Sequence, residues 1–313
     1  MAPSPSKAES RLSAPIDLLR VRRLFSAPER AKESEFLRRE VASRMHERLA
    51  LVKLAPRHVL DAGCGSGADL AILQNRFSDA QLFGIDASTA MLLAAGAQQR
   101  SAWAALNGVL GQWLPDRLRR ATGQPGLIAG DFANLPFSAN SFDLVWSNLA
   151  LHWHPQPDRV YAEWRRILRT EGLLMFSCFG PDTLKELRAA FAALDATPHA
   201  LPFVDMHDFG DMLVEAGFST PVMDMETITL TYASVDKLWS DVRAMGGNPL
   251  ATRRRSLIGR DAWRRVTEKL ESTRGADGRI PLSFEIIYGH AFRPVPRTTS
   301  RGESIVRFDP PRK

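Results

Sequence analysis

The sequence predicts an α/β protein: seven strands in one mostly parallel sheet, with helices on both faces. Three observations predict it. Five apolar runs bounded by turn residues alternate with helical patterns along the first part of the chain. Two later runs are longer and more alternating, and no crossover pattern ties them into that rhythm, so the edge of the sheet turns antiparallel. A turn with three glycines, VLDAGCGSGADL (59–70), joins the first run to a helix.

In order, the first five strand runs are HVLDAG (58–63), QLFGIDAS (81–88), GLIAGDF (126–132), FDLVWSNL (142–149) and LLMFSCFG (173–180). VMDMETITLTY (222–232) and FEIIYGHAF (284–292) follow. Helical patterns cover 68–76, 89–99 running on towards 120, 157–168, 183–194 and 208–216. Strands separated by helices of this length pair in parallel through crossovers, and such sheets are covered on both faces. Residues 31–53 read as an amphipathic helix ahead of the first strand. Residues 97–125 make a longer excursion than a simple crossover and end in TGQPG. Residues 234–276 are helical and basic, separate the last two strands, and suit a lid.

The expected division is therefore a basic, Pro/Ser/Ala-rich tail over 1–30, one catalytic domain over 31–294, and a C-terminal tail over 295–313. The domain carries helical insertions at 97–125 and 234–276.

The 313 residues are 44% hydrophobic and 24% charged, enough apolar material for a sizeable core. No run reaches the ~18 to 20 apolar residues of a membrane span, and the start lacks an apolar signal core. Cys64 and Cys178 show no metal-ligand or paired spacing, which points to a reducing compartment, the cytoplasm, and to no metal site. The net charge of +6 favours an acidic partner, and basic clusters stand at 20–23, 117–120 and 253–255. Two readings are open for them: solvated helix faces, or a docking surface for a nucleic acid or an acidic carrier protein.

The glycine turn also has two readings, a tight connection or a ligand cradle. Gly63, Gly65 and Gly67 allow positive φ and remove Cβ atoms where a ligand would approach, and the helix beyond offers free N–H groups. The neighbouring strand ends favour the cradle. Asp86, with Ala87 after it, closes the second run, where an acid accepts hydrogen bonds from a ribose diol. Asp131 closes the third and can hold an exocyclic amino group, while Phe132 suits a purine face or the core equally. Ser147 and Asn148 emerge from the fourth run at the same end of the sheet. Asp61 brings negative charge to the loop, which disfavours a pyrophosphate and favours a cationic cofactor. S-adenosyl-L-methionine fits: its ammonium near Asp61, its carboxylate on backbone N–H groups, its ribose on Asp86 and its adenine on Asp131. No P-loop lysine follows the turn, which argues against ATP.

VLDAGCGSG, GIDAS, GDFANLPF and FDLVWSNLALHW together resemble the Rossmann-like class I S-adenosylmethionine-dependent methyltransferases over roughly residues 40 to 230. Within them, WSNLALHW, FGPDTLKELRAAF, FVDMHDFGDML, DVRAMGGNPL and GRIPLSFEIIYGHAF resemble the malonyl-[acyl-carrier protein] O-methyltransferases of biotin synthesis. ERAKESEFLRREVASRM and FGPDTLKELR are also similar to a protein-arginine hydroxylase of the same fold that assembles respiratory complex I. The first resemblance implies methylation of a free carboxylate carried by an acidic acyl carrier protein, the second a protein partner. A third reading, RNA methylation, rests on the basic charge alone. The fourth run continues as SNLALHW and lacks the [N/D]-P-P-Y signature of amino-directed enzymes, and no DNA partner is expected.

A carboxylate nucleophile is ionised at neutral pH and needs no general base, so the site needs a cation to hold it and a lid to exclude water. Arg243, in DVRAMGG of the lid, is the candidate cation, against a plain surface-helix role. His152 and His154 flank Trp153; without a carboxylate or cysteine at ligand spacing they suggest no metal, and His152 and Trp153 are expected to wall the site.

Overall fold

The computed structural model describes residues 14–110, 124–195 and 197–296. Seven strands are present: β1 His58–Ala62, β2 Gln81–Asp86, β3 Gly126–Ala129, β4 Phe142–Asn148, β5 Leu168–Phe179, β6 Ser219–Tyr232 and β7 Ile280–Phe292. They form one sheet in the order β3-β2-β1-β4-β5-β7-β6. The first five pair in parallel, β7 runs antiparallel to β5, and β6 antiparallel to β7. The chain steps outward from β1 to β2 and β3, then returns to place β4 on the other side of β1. That reversal opens a crevice at the carboxyl ends of β1 and β4.

The helices among the described residues are α1 Leu18–Leu24, α2 Pro28–Lys32, α3 Glu35–Ala50, α4 Ala68–Arg76, α5 Thr89–Leu110, α6 Pro157–Ile167, α7 Lys185–Ala192, α8 Met206–Glu215, α9 Val235–Ala244 and α10 Arg260–Glu271. One apolar layer packs Leu37, Val41, Met45 and Leu49 of α3 and Leu70 and Leu73 of α4 against Val59, Leu144 and Leu173 of the sheet. The opposite layer packs Val160, Trp164 and Ile167 of α6 and Phe209 and Leu213 of α8 against Leu60, Val145 and Phe176. The side chains alternate across each strand, so β4 sends Leu144 and Val145 to opposite layers.

Several strands begin earlier than their apolar runs suggest: β5 at Leu168, β6 at Ser219 and β7 at Ile280. Three of the added residues of β5, Arg169, Thr170 and Glu171, are polar, and Arg169 is held there by Asp143 at 2.7 Å. The tail expected over 1–30 is corrected by the structure from Ala14 onward. Asp17 caps α1 by accepting from Arg20 N at 3.1 Å. Ile16 pairs with Leu250, and Ala14, Ile16 and Val21 are buried with Leu201 and Leu250. These contacts are distant in sequence and leave no local periodicity to read. The 31–53 helix divides into α2 and α3, while the lid expected over 234–276 contains α9 and α10. α5 runs unbroken to Leu110, whereas 111–123, with the 117–120 basic cluster, and 297–313 lie outside the described residues. Among the described residues no helix is long and apolar enough to cross a membrane.

Candidate active site

The glycine turn leaves β1 and enters α4 with φ of 85° at Gly63, 52° at Gly65 and 81° at Gly67. Gly63 is a matter of space as well as φ: a Cβ there would sit 2.3 Å from the Ala150 Cβ. Around Gly65 nothing lies within 4 Å of such a Cβ, so the loop faces open space. Gly67 sits at the N-cap of α4 and shapes the turn from behind. Asp86 binds this loop to the end of β2. Its Oδ2 accepts from Gly65 N at 2.9 Å and its Oδ1 from Ser88 N at 2.7 Å. Each oxygen retains a further lone pair, which leaves the carboxylate able to accept from a ligand.

The loop borders an open cleft. Asp61, Gly63, Gly65, Asp86, Ala87 and Phe132 line it. Asp61 is 1% exposed, and its Oδ2 has no hydrogen-bond partner. Burial first, then the charges of Asp69 and Asp86, push its carboxyl well above the usual range. Asp69, in the first turn of α4, is also raised by burial, although Trp146 Nε1 donates to it at 2.9 Å. Asp86 is raised by burial in turn, against the pull of its two backbone donors. Three carboxylates beside one cleft repel one another, and a cation brought among them relieves that repulsion. The donor set therefore fits a cationic ligand with a ribose.

Other expected residues fall at different distances from the cleft. Asp131 caps its own loop by accepting from Ala133 N at 2.9 Å and lies 3.7 Å from His154 Nε2. Hydrogen bonding from His154 holds its carboxyl below the usual range. That loop is fastened from α6: Glu163 accepts from Leu135 N, and Arg166 donates to Phe137 O, each at 2.7 Å. Ser147 does not border the cleft; it is fully buried and donates to Ala62 O at 2.8 Å. Asn148, one residue on, faces the opposite way and does line the cleft. Its Nδ2 donates to Arg38 O at 3.0 Å and its Oδ1 accepts from Ser177 Oγ at 2.9 Å.

A second cavity adjoins the first, and Trp153, Phe179 and Met245 line both. Its walls are mainly apolar, including Leu187, Phe203, Trp239 and Phe284, and Arg243 of α9 is among the lining residues. Arg243 is exposed and has no ion pair among the described residues. His152, expected at the wall, lies behind it. Its ring stands 4.6 Å from the Phe179 ring, and burial lowers its pKa to about 3. Trp153 is a true divider, held edge-on by Phe25 of the N-terminal segment at 5.3 Å.

Sequence reasoning missed Asp69, Arg38, Phe25 and Met245, all of which line the first cleft. Asp69 resembles an ordinary first-turn acid. Arg38 resembles a solvated helix residue, yet its guanidinium reaches Ala31 O at 2.5 Å, and burial lowers its pKa. No local pattern marks any of the four.

The switch-point crevice, the glycine turn and the acid closing β2 define a class I methyltransferase. Residues 60–176 match a family model described as a methyltransferase domain. The chain is 45% identical over 280 residues to the malonyl-[acyl-carrier protein] O-methyltransferase of Laribacter hongkongensis, covering 88% of this chain and 89% of that one. It is 44% identical over 294 residues to the enzyme of the same name in Gallionella capsiferriformans, covering 93% and 96%. The chain belongs to the malonyl-[acyl-carrier protein] O-methyltransferase family. Among solved structures, a protein of Bacillus halodurans C-125 superposes with a TM-score of 0.54 at 17% identity, covering 81% of this chain and 99% of that one. The YcgJ protein of Bacillus subtilis does so with 0.52 at 16%, covering 80% and 98%. Both share the fold.

Proposed function

We propose that this protein methylates the free carboxyl group of malonyl-[acyl-carrier protein], using S-adenosylmethionine and forming the methyl ester used in biotin synthesis. The observation that carries this reading is the meeting of two unlike cavities at Trp153, Phe179 and Met245. One has an acidic floor suited to a cationic nucleoside, the other an apolar wall with one arginine at hand.

The bound cofactor supplies an electrophilic methyl group at its sulfonium. The chain's residues bind and align. Asp61, with an unpartnered buried oxygen, takes the ammonium, with Asp69 adding to the field. Asp86 accepts from the ribose, and Phe132 and Asp131 take the adenine end. On the substrate side, Arg243 holds the malonyl carboxylate, and Trp153 and Phe179 exclude water from the junction. In-line displacement by a carboxylate depends on alignment and desolvation. The nucleophile is already ionised at neutral pH; a neutral, buried His152 is then a packing group, in keeping with its pKa of about 3. Two free cysteines suit a cytoplasmic setting.

Incubation with methyl-labelled cofactor and malonyl-carrier protein tests the reading. Base-labile label on the carrier is expected; cofactor binding without transfer would refute it.

A further inference from the structure

Two basic stretches far apart in sequence, 20–23 and 253–255, belong to one surface. Asp17 N donates to Pro249 O at 3.0 Å, and Ala251 N to Pro15 O at 2.8 Å. Ile16 pairs antiparallel with Leu250, and Arg20 Nε donates to Asn248 O at 3.0 Å. Burial and then the nearby Arg253 charge lower the Arg20 pKa, with Arg23 adding to the effect. Arg22, Arg23, Arg254 and Arg255 are exposed. Arg254 pairs with Asp195 at 2.8 Å; Arg22, Arg23 and Arg255 have no ion pair among the described residues.

This surface also frames both cavities. Val21 and Phe25, on and just after α1, line the first. Gly247 and Asn248, beside Pro249, line the second. Two large apolar side chains stand exposed on the same two segments, Leu19 at 64% and Leu257 at 94%. Like charges gathered on one face repel and lower the stability of the free chain. Gathered at a mouth with exposed leucines among them, they complement an anionic partner that also offers apolar contact.

We infer that α1 and the 248–257 segment form the docking face for the acidic carrier protein, which presents its acyl group to the second cavity. The assignment rests on the carrier-linked substrate proposed above. Arginines set around the mouth steer the carrier's approach and fix its orientation, while the leucines supply apolar burial once it arrives.

The test is the double variant R23E/R255E, which leaves Arg22 and its charge near Asp131 in place, compared with wild type on malonyl-carrier protein and on malonyl-pantetheine, which lacks the carrier. The expected result is a KM for the carrier substrate raised about tenfold or more, with kcat/KM for malonyl-pantetheine unchanged. Wild type should also lose carrier affinity on raising ionic strength about tenfold, and the variant should not. An unchanged carrier KM overturns the assignment, as does an equal loss on both substrates. If wild type methylates malonyl-pantetheine as well as the carrier substrate, docking falls and methyl transfer stands. If it methylates neither, the proposed reaction falls, and direct titration with unmodified carrier protein decides the docking face. Binding by wild type that the variant loses supports it. No binding of the carrier, or equal binding by both proteins, or loss only of binding to a short RNA duplex, overturns it.

Discussion

At Asp61 a carboxylate is buried with one oxygen unpartnered, a costly arrangement in a free protein and a useful one when a cation arrives. Replacement by Asn keeps the shape and removes the charge. Asp61→Asn should weaken S-adenosylmethionine binding by about tenfold to a hundredfold, the span of a hydrogen bond to a charged group, read by calorimetric titration. The pH dependence has a defined sign. Asp61, Asp69 and Asp86 are all raised from 3.8 in the folded chain. Folding therefore favours their protonated forms, and that stability is full below 3.8 and lost as pH rises through the raised values. The free protein's Tm should fall over that rise, the fall should be smaller in Asp61→Asn, and cofactor should stabilise more at the upper end. Ser147 behaves differently. Ser147→Ala removes one buried hydrogen bond, to Ala62 O, and should cost about 1 kcal/mol of stability with cofactor affinity unchanged, by denaturant titration. The sequence placed Ser147 and Asn148 together as polar residues at one strand end. Strand alternation turns Asn148 to the cleft and Ser147 away from it; Trp146, two residues before Asn148, is buried below the cleft with its indole on Asp69.

At the scale of elements, the glycine turn contains two glycines required for different reasons. Gly63→Ala would drive a Cβ to 2.3 Å from Ala150 at a φ of 85°, so stability and binding should fall together. Gly65→Ala meets nothing within 4 Å, so its stability cost should be limited to the φ of 52°, about 1 to 2 kcal/mol. Its cofactor affinity should fall far more than that loss accounts for, because the new methyl occupies the cradle. Thermal melts with and without cofactor separate the two patterns. Strands and crossover helices were legible because each carries its own period: β1, β2 and β4 match their apolar runs to within one or two residues. α1 was illegible. It spans seven residues with one buried side chain, Val21, and its contacts lie with Leu201 and Leu250. Basic residues at that density read as a tail until the distant segment that packs on them is known.

For the whole molecule, the strand order β3-β2-β1-β4-β5-β7-β6 explains why acids distant in sequence meet. Asp61 is the second-last residue of β1, Asp86 ends β2, and the chain after β3 reaches Asp131, all at the carboxyl ends of parallel strands. The strand-end residues that border the first cleft were therefore readable in the sequence. The second cavity was not, because it is assembled from the 3₁₀ turn at Leu151–Trp153, the end of β5, α7, α9 and the chain beyond them, with no shared period. Arg243 was named from the need for a cation in the expected lid, and it is among the residues lining the second cavity. In the proposed reaction a free acyl carboxylate takes the methyl group. Its most direct measurement is the mass of the carrier protein after incubation with S-adenosylmethionine, run in parallel on malonyl and acetyl carriers. The malonyl carrier should gain one methyl in place of hydrogen, and the acetyl carrier, which has no free carboxylate, should gain none. An unmodified malonyl carrier, or an acetyl carrier modified equally, would contradict it.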